Sequence, residues 1–372
     1  MGTLIVSDLH LGARTGIDLL RRERPRDALL EAVAEAERLV LLGDVLELRH
    51  GPARDALTAA APILRALGDA MGARELLLVA GNHDYELVTP WLRGRGAQAP
   101  PAPLGLEQRV APAVASPLAE AVAALLAPAQ VTVAYPGAWL ADGVWATHGH
   151  YVDCHATVPT FERLAAGLMS RLVGPLGDGP LEPEDYEARL APLYAWMSEL
   201  AERGGLRRMP GPGSVRAWML LTGDGHRPLR ARLLARGFPL GVAALNRAGL
   251  GPVSPDLSRE QIRRAGVQGM AEVVRRLAPP ARHVIFGHTH RFGPLPGEEG
   301  GDWAPGAGRR LHNSGSWVLE RRFAARLGPS SPFWPGTCLE LEEGAEPTGR
   351  RLLDPEALAD VVGLAREPGA PR

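Results

Sequence analysis

The sequence contains no lysine: all 41 basic side chains are arginine, a bias we attribute to GC-rich coding rather than to chemistry. It has only two cysteines, Cys154 and Cys338, far apart and outside any C-x-x-C pattern. A disulfide framework and a thiolate zinc site are therefore excluded, and a reducing compartment is expected. No run approaches the roughly 18 charge-free apolar residues of a membrane span, and no basic segment precedes the apolar residues that begin at Leu4. A cytoplasmic location follows as the expectation. Neither charge sign dominates: 41 basic and 42 acidic residues give a net charge of -1, so no global field draws the chain to nucleic acid or an anionic membrane. What remains is an ordinary globular composition, 45% apolar and 22% charged over 372 residues, enough for one large domain with insertions or for two smaller ones.

Short apolar runs recur between Gly or polar clusters: Thr3 to Ser7, Leu39 to Leu42, Leu76 to Ala80, Val131 to Ala134, Val144 to Thr147 and Val284 to Phe286. These read as buried strands. Helical patterns separate the early ones, at Pro25 to Arg38 and Asp55 to Leu67. A β-α-β-α order predicts an α/β sheet. Leu311 to Leu319 and Thr337 to Leu341 lack a helix between them, which predicts antiparallel strands closing a mixed sheet or sandwich.

Two stretches break this rhythm and read as insertions. Gly94 to Pro128 is rich in Pro and Ala, with one helix expected around Leu118 to Leu126. Tyr151 to Pro280 is helical in pattern, with Gly and Pro breaks. Its charges are segregated: Leu181 to Glu202 carries six acidic residues against one arginine, whereas Arg203 to Arg247 carries nine arginines against one aspartate. The expected division is a discontinuous core at 1-150 and 281-345, a helical insertion or cap at 151-280, and a tail at 346-372.

The chemistry lies where the strands end. The first runs into Ser7-Asp8-Leu9-His10, the second into Gly43-Asp44, and the third into Gly81-Asn82-His83-Asp84. Later ones run into Thr147-His148-Gly149-His150 and Gly287-His288-Thr289-His290. Ligands of α/β sheets collect outside the carboxyl ends of strands. Each residue taken singly is an ordinary helix cap, turn or structural histidine. Together they form an N/O ligand set without sulfur, suited to Mn, Fe or Zn. In extended backbone, positions i and i+2 project to one side, so Asp8-x-His10 and His288-x-His290 are each expected to reach one cluster from a strand end.

The ordered set D-x-H, G-D, G-N-H-D, H and G-H-x-H resembles that of the calcineurin-like metallophosphoesterases, over roughly residues 3 to 150 and 281 to 320. The resemblance implies a four-layer α-β-β-α sandwich and two divalent metal ions, Mn in the first instance. It implies hydrolysis of a phosphoester or pyrophosphate bond by a bridging hydroxide. It further implies that Asp8, His10 and His290 hold one metal and Asn82, His148 and His288 the other, with Asp44 bridging. His83 would be the general acid or hydrogen-bond donor, with Asp84 orienting its imidazole. In motif style the chain is similar to the bacterial UDP-2,3-diacylglucosamine pyrophosphatases. That branch usually has Arg where this chain has His83 and Asp where it has His150, so its lipid substrate does not carry over.

Weaker signals surround these motifs. Arg14 and Arg291 flank them and are placed to meet phosphate oxygens, with solvated surface arginine as the other reading. His150 could contact phosphate, support the cluster or satisfy a turn, and a supporting role is favoured. His50, His155, His226, His283 and His312 are taken as structural. The arginines of 203-247, mixed with Trp218 and Leu233, suggest either a lid over an amphipathic phosphate compound, with weak membrane-surface contact, or a cap packed on the core. No stable nucleic-acid partner is expected. A nuclease and a non-catalytic scaffold are the alternatives to a phosphoesterase.

Overall fold

The computed structural model describes residues 2–96, 102–158, 161–203, 240–256, 259–319, 328–354 and 358. In the first sheet β1 (Thr3–Val6), β2 (Arg38–Leu42), β3 (Glu75–Val79) and β5 (Gln130–Tyr135) are neighbours and run parallel. The short β4 (Gln108–Val110) lies antiparallel on β5, while β10 (Thr337–Leu341) and β11 (Thr348–Arg351) add antiparallel strands beyond β1. The order is β11-β10-β1-β2-β3-β5-β4. A second sheet joins β6 (Gly137–Ala141), β7 (Val144–Thr147), β8 (His283–Phe286) and β9 (Arg310–Asn313) in that order, with β7, β8 and β9 parallel. The principal helices are α1 (Glu23–Glu35), α2 (Ala53–Met71), α3 (Thr89–Gly96), α4 (Pro112–Ala115), α5 (Pro117–Leu125), α6 (Phe161–Val173), α7 (Pro183–Glu202) and α8 (Arg259–Leu277).

Side-chain alternation along the strands builds the layers. Ile5, Val40, Leu42, Leu77, Val79 and Ala134 point one way and pack with Ala138, Leu140, Val144, Ala146 and Ile285 of the second sheet. Their neighbours Leu4, Val6, Leu39, Leu41, Leu76 and Leu78 point the other way, into a core that includes Leu29 and Val33 of α1, Leu64 and Leu67 of α2, and Val122 of α5. Strands buried on both faces read as continuous apolar runs, and each such Leu, Ile or Val contributes roughly 1.5–3 kcal/mol on burial. Trp145, Val284 and Phe286 of the second sheet belong to the same core as Met270, Val273 and Val274 of α8. The result is a mixed α/β sandwich of two facing sheets flanked by helices, with α6 and α7 as a helical insertion.

Several expectations change. The run Leu311 to Leu319 is a strand only over Arg310–Asn313, and it pairs parallel to β8 rather than antiparallel. Within the stretch 94-128, strand β4 belongs to the first sheet and helix α5 to its helical layer. The segment 346-372 is not simply a tail, because Thr348–Arg351 forms the edge strand β11. Helix α8, inside the expected insertion, supplies the crossover that two parallel strands such as β7 and β8 require. The arginine-rich stretch lies outside the described residues over 204–239, and His226 with it. Among the described residues no helix is long and apolar enough to cross a membrane.

Candidate metal centre

The parallel strands of both sheets send their carboxyl ends to one place. Backbone bonds lock these ends together: Asp8 N–H donates to Gly43 O (3.1 Å), His10 N–H to Asp44 O (2.9 Å) and Gly287 N–H to His148 O (3.0 Å). The backbone there is not extended. Among the described residues seven non-glycine positions have positive φ, and five of them are Asp8, His10, Asp44, His288 and His290. Asp and His tolerate this region better than most residues, yet it is strained for any L-residue. The i, i+2 pairs therefore converge through left-handed turns, which corrects the extended-strand argument.

Asp8, His10 and His290 bring their ligand atoms within 4.8 Å of one another, as do Asp44, His148 and His288. His10, Asp44 and His83 form a third such group. Asp44 stands between the sets, its Oδ2 3.3 Å from His148 Nε2 and 3.7 Å from His10 Nε2. Asn82 Oδ1 lies 3.1 Å from both His148 Nε2 and His288 Nδ1.

Three histidines have their inward nitrogen chosen by an acceptor on the outward one. His148 Nδ1 is 3.0 Å from Leu42 O, which only accepts, so that nitrogen keeps its proton and Nε2 is the one that can yield its proton to a cation and become the donor. His10 Nδ1 is held by Glu47 (3.0 Å), and His288 Nε2 by Asp153 (2.9 Å). Neither Glu47 nor Asp153 was picked out from the sequence. An acidic residue three positions after Asp44 was the available signal for Glu47, and Asp153 had none beyond its nearness to His150. Such outward carboxylates and carbonyls are how proteins aim imidazoles at a metal.

Divalent cations fit this donor set. Asp8 Oδ1 is buried without a hydrogen bond, 3.2 Å from His290 Nε2, and the Nε2 atoms of His10 and His290 face each other at 3.3 Å. Electron-rich atoms crowded in this way want a cation between them. The Asn82 amide has two settings. Oxygen inward makes it a ligand, whereas a half-turn would aim its nitrogen at His148, His288 and Asp44 and its oxygen at Arg49. The field is electronegative: burial opposes charging His148, but the Asp44 carboxylate overrides it and holds the imidazole up at about 9.

The expected partner of His83 is corrected. Asp84 does not touch that ring; its carboxylate accepts the N–H groups of Gly81 (2.7 Å), Val45 (2.7 Å), Asp44 (3.3 Å) and Leu46 (3.3 Å), tying the β2 and β3 loops together. Burial, with the Asp44 charge beside it, pushes Asp84 up to about 6. Glu47 holds His83 instead, through Nδ1 at 2.8 Å. Burial and the nearby Arg49 guanidinium push His83 below the ordinary imidazole range. Arg49 also escaped notice in the sequence: it is buried, bonds Asn82 O at 3.2 Å and lies over the Tyr194 ring of α7.

The three weaker sites all have partners within the protein. Arg14 pairs with Asp55 at 2.8 Å. Arg291 is buried, paired with Glu298 at 2.7 Å and laid over Trp303. His150 is buried beside Tyr135, whose hydroxyl is 3.2 Å from Nε2, a supporting place rather than a contact surface. The same Tyr135 hydroxyl, with those of Tyr85 and Tyr151, donates to Glu187 at 2.5–2.6 Å, bolting α7 to the end of β5 and to the segments that follow β3 and β7.

Gly43 shows how tightly the site is built. Its φ is +84°, and a methyl group there would overlap the His148 ring. Gly43→Ala is therefore expected to cost ~1–3 kcal/mol of stability from backbone strain alone and to displace His148. Thermal unfolding checks it; a wild-type melting temperature would show that the ring and backbone have slack.

No protein-family model matches the chain, and no curated protein is similar to it. Among solved structures it is similar to a dimetal phosphatase from Danio rerio at 14% identity, over 94% of this chain and 98% of that one, with a TM-score of 0.32.

Proposed function

We propose that this chain is a metal-dependent phosphoesterase acting on a phosphoester or pyrophosphate bond through a dinuclear centre. The observation that carries this reading is the position of Asp44, whose one carboxylate oxygen lies between the Asp8–His10–His290 and Asn82–His148–His288 sets. Asp8, His10 and His290 would hold one cation, Asn82, His148 and His288 the second, and Asp44 both. Two divalent cations in such a cage supply Lewis acidity toward a phosphoryl oxygen and acidify a water molecule at neutral pH. Sulfur-free donors of this kind suit Mn, with Fe or Zn also accommodated.

The chain's own residues do the rest. His83 is the part of the cluster most open to solvent, at 23% side-chain exposure against 2% for Asp44. With Nδ1 held by Glu47, its Nε2 is the atom left to hydrogen-bond or protonate a departing oxygen. Asp84 fixes the backbone that carries both Asp44 and Asn82. Arg49 backs Asn82 from outside.

The test is a screen of Mn²⁺-loaded protein against phosphomonoesters, phosphodiesters, nucleotide-sugar pyrophosphates and single-stranded DNA. Hydrolysis of at least one phosphate compound is expected, lost on chelation and restored by Mn²⁺. Turnover that survives exhaustive chelation would overturn the reading, and activity confined to DNA would replace it with a nuclease.

A further inference from the structure

Glu47 has a place in the site that the ligand set does not require. It is 2% exposed and caps the short turn Leu48–His50, where its Oε1 accepts the Arg49 backbone N–H at 3.0 Å. Its carboxylate also meets two imidazoles from different loops: His10 Nδ1 at 3.0 Å from Oε2, and His83 Nδ1 at 2.8 Å from the same oxygen and 2.9 Å from the other. The two rings meet edge to face, with centroids 4.6 Å apart and planes at 86°. Their Nε2 atoms turn to one side, 3.7 and 4.0 Å from Asp44 Oδ2.

We propose that Glu47 is a shared positioning residue which, resting on the phosphoesterase reading, couples the capture of a cation by His10 to the orientation of His83. The argument is one of donor and acceptor inventory. An ionised carboxylate only accepts and has about four lone-pair sites; here it takes two Nδ1–H groups and one backbone N–H. Both imidazoles are thereby fixed in the Nδ1–H tautomer, which leaves both Nε2 atoms for the cluster. No other side-chain type of this length does the same. A glutamine places N–H₂ where one of the two ring N–H groups must donate, so one ring loses its bond or turns over. One buried acid thus sets a group that binds metal and a group that serves the leaving oxygen, and disturbing it disturbs both.

The experiment compares Glu47→Gln, His83→Ala and the double variant by Mn²⁺ calorimetry and by steady-state kinetics on the substrate found above. Glu47→Gln is expected to weaken Mn²⁺ binding about 10- to 100-fold, the usual effect of losing an outward partner of a ligand, and to lower kcat more than it raises KM. His83→Ala is expected to leave Mn²⁺ affinity unchanged. The double variant is expected to show the Mn²⁺ defect of Glu47→Gln and no more than the kcat defect of His83→Ala. Wild-type Mn²⁺ affinity in Glu47→Gln overturns the coupling. If that variant does not fold, ring-nitrogen NMR on ¹⁵N-histidine wild-type chain decides instead: Nδ1–H tautomers at both His10 and His83 are required, and an Nε2–H tautomer at either overturns the proposal. Wild-type protein that binds no Mn²⁺ and hydrolyses nothing sinks the phosphoesterase reading itself, a separate outcome.

Discussion

Asp44→Asn is expected to abolish hydrolysis and to remove the rise in melting temperature that Mn²⁺ gives the wild type. The variant keeps the shape of the side chain and its acceptor for the His83 backbone N–H, 2.8 Å from Oδ1. What it loses is a charge in the one position that faces both ligand sets. Burial disfavours the ionised form of Asp44, but the His148 and His83 imidazoles hold it well below the usual carboxylate range, so the native side chain is an anion. A neutral amide leaves neighbouring cations to repel each other, and an N–H₂ turned toward His148 or His10 donates to the Nε2 lone pair that a cation would otherwise take. Metal-based charge stabilisation is worth several kcal/mol, and a loss of ~4 kcal/mol is about a thousandfold in rate. The melting temperature gives the independent readout: a ligand that binds only the native state stabilises it by mass action. An unchanged Mn²⁺-dependent shift in Asp44→Asn would show that Asp44 does not hold the cations.

His83→Ala is expected to have the opposite signature, with Mn²⁺ binding and the thermal shift kept while kcat falls about 10²–10⁴-fold, the usual span for a positioned proton donor. The distinction matters because His83 lies close enough to His10 and Asp44 to complete a third ligand group. Its greater exposure favours a group that faces substrate, with Nε2 left as the atom to do so because Glu47 holds Nδ1. Loss of one equivalent of bound Mn²⁺ in His83→Ala would make it a ligand instead, and wild-type turnover would remove it from the reaction.

The strands that carry the site were legible because each is a double-sided apolar run: Leu39 to Leu42 and Leu76 to Ala80 leave little else to be. The strands that were missed are those without such a run. Polar Thr348–Arg351 pairs on one side only, Gln108–Val110 is three residues at the opposite edge, and Gly137–Ala141 begins at a glycine. Edge strands are specified by their neighbour's backbone, which sequence periodicity does not report.

By itself the sequence determined which residue types stand at the strand ends, and hence a sulfur-free donor set in an α/β scaffold, because hydrophobic period and Gly punctuation are local properties. Only the tertiary structure decided what lies behind those donors. It gave Asp84 to the backbone of two loops, His83 and His10 to Glu47, and His288 to Asp153, and it paired Arg14 with Asp55 and Arg291 with Glu298. The physical reason is that a hydrogen bond is chosen by direction and distance among all groups that reach a point. Left-handed turns at Asp8, His10, Asp44, His288 and His290 set those directions in three dimensions, where no spacing along the chain records them.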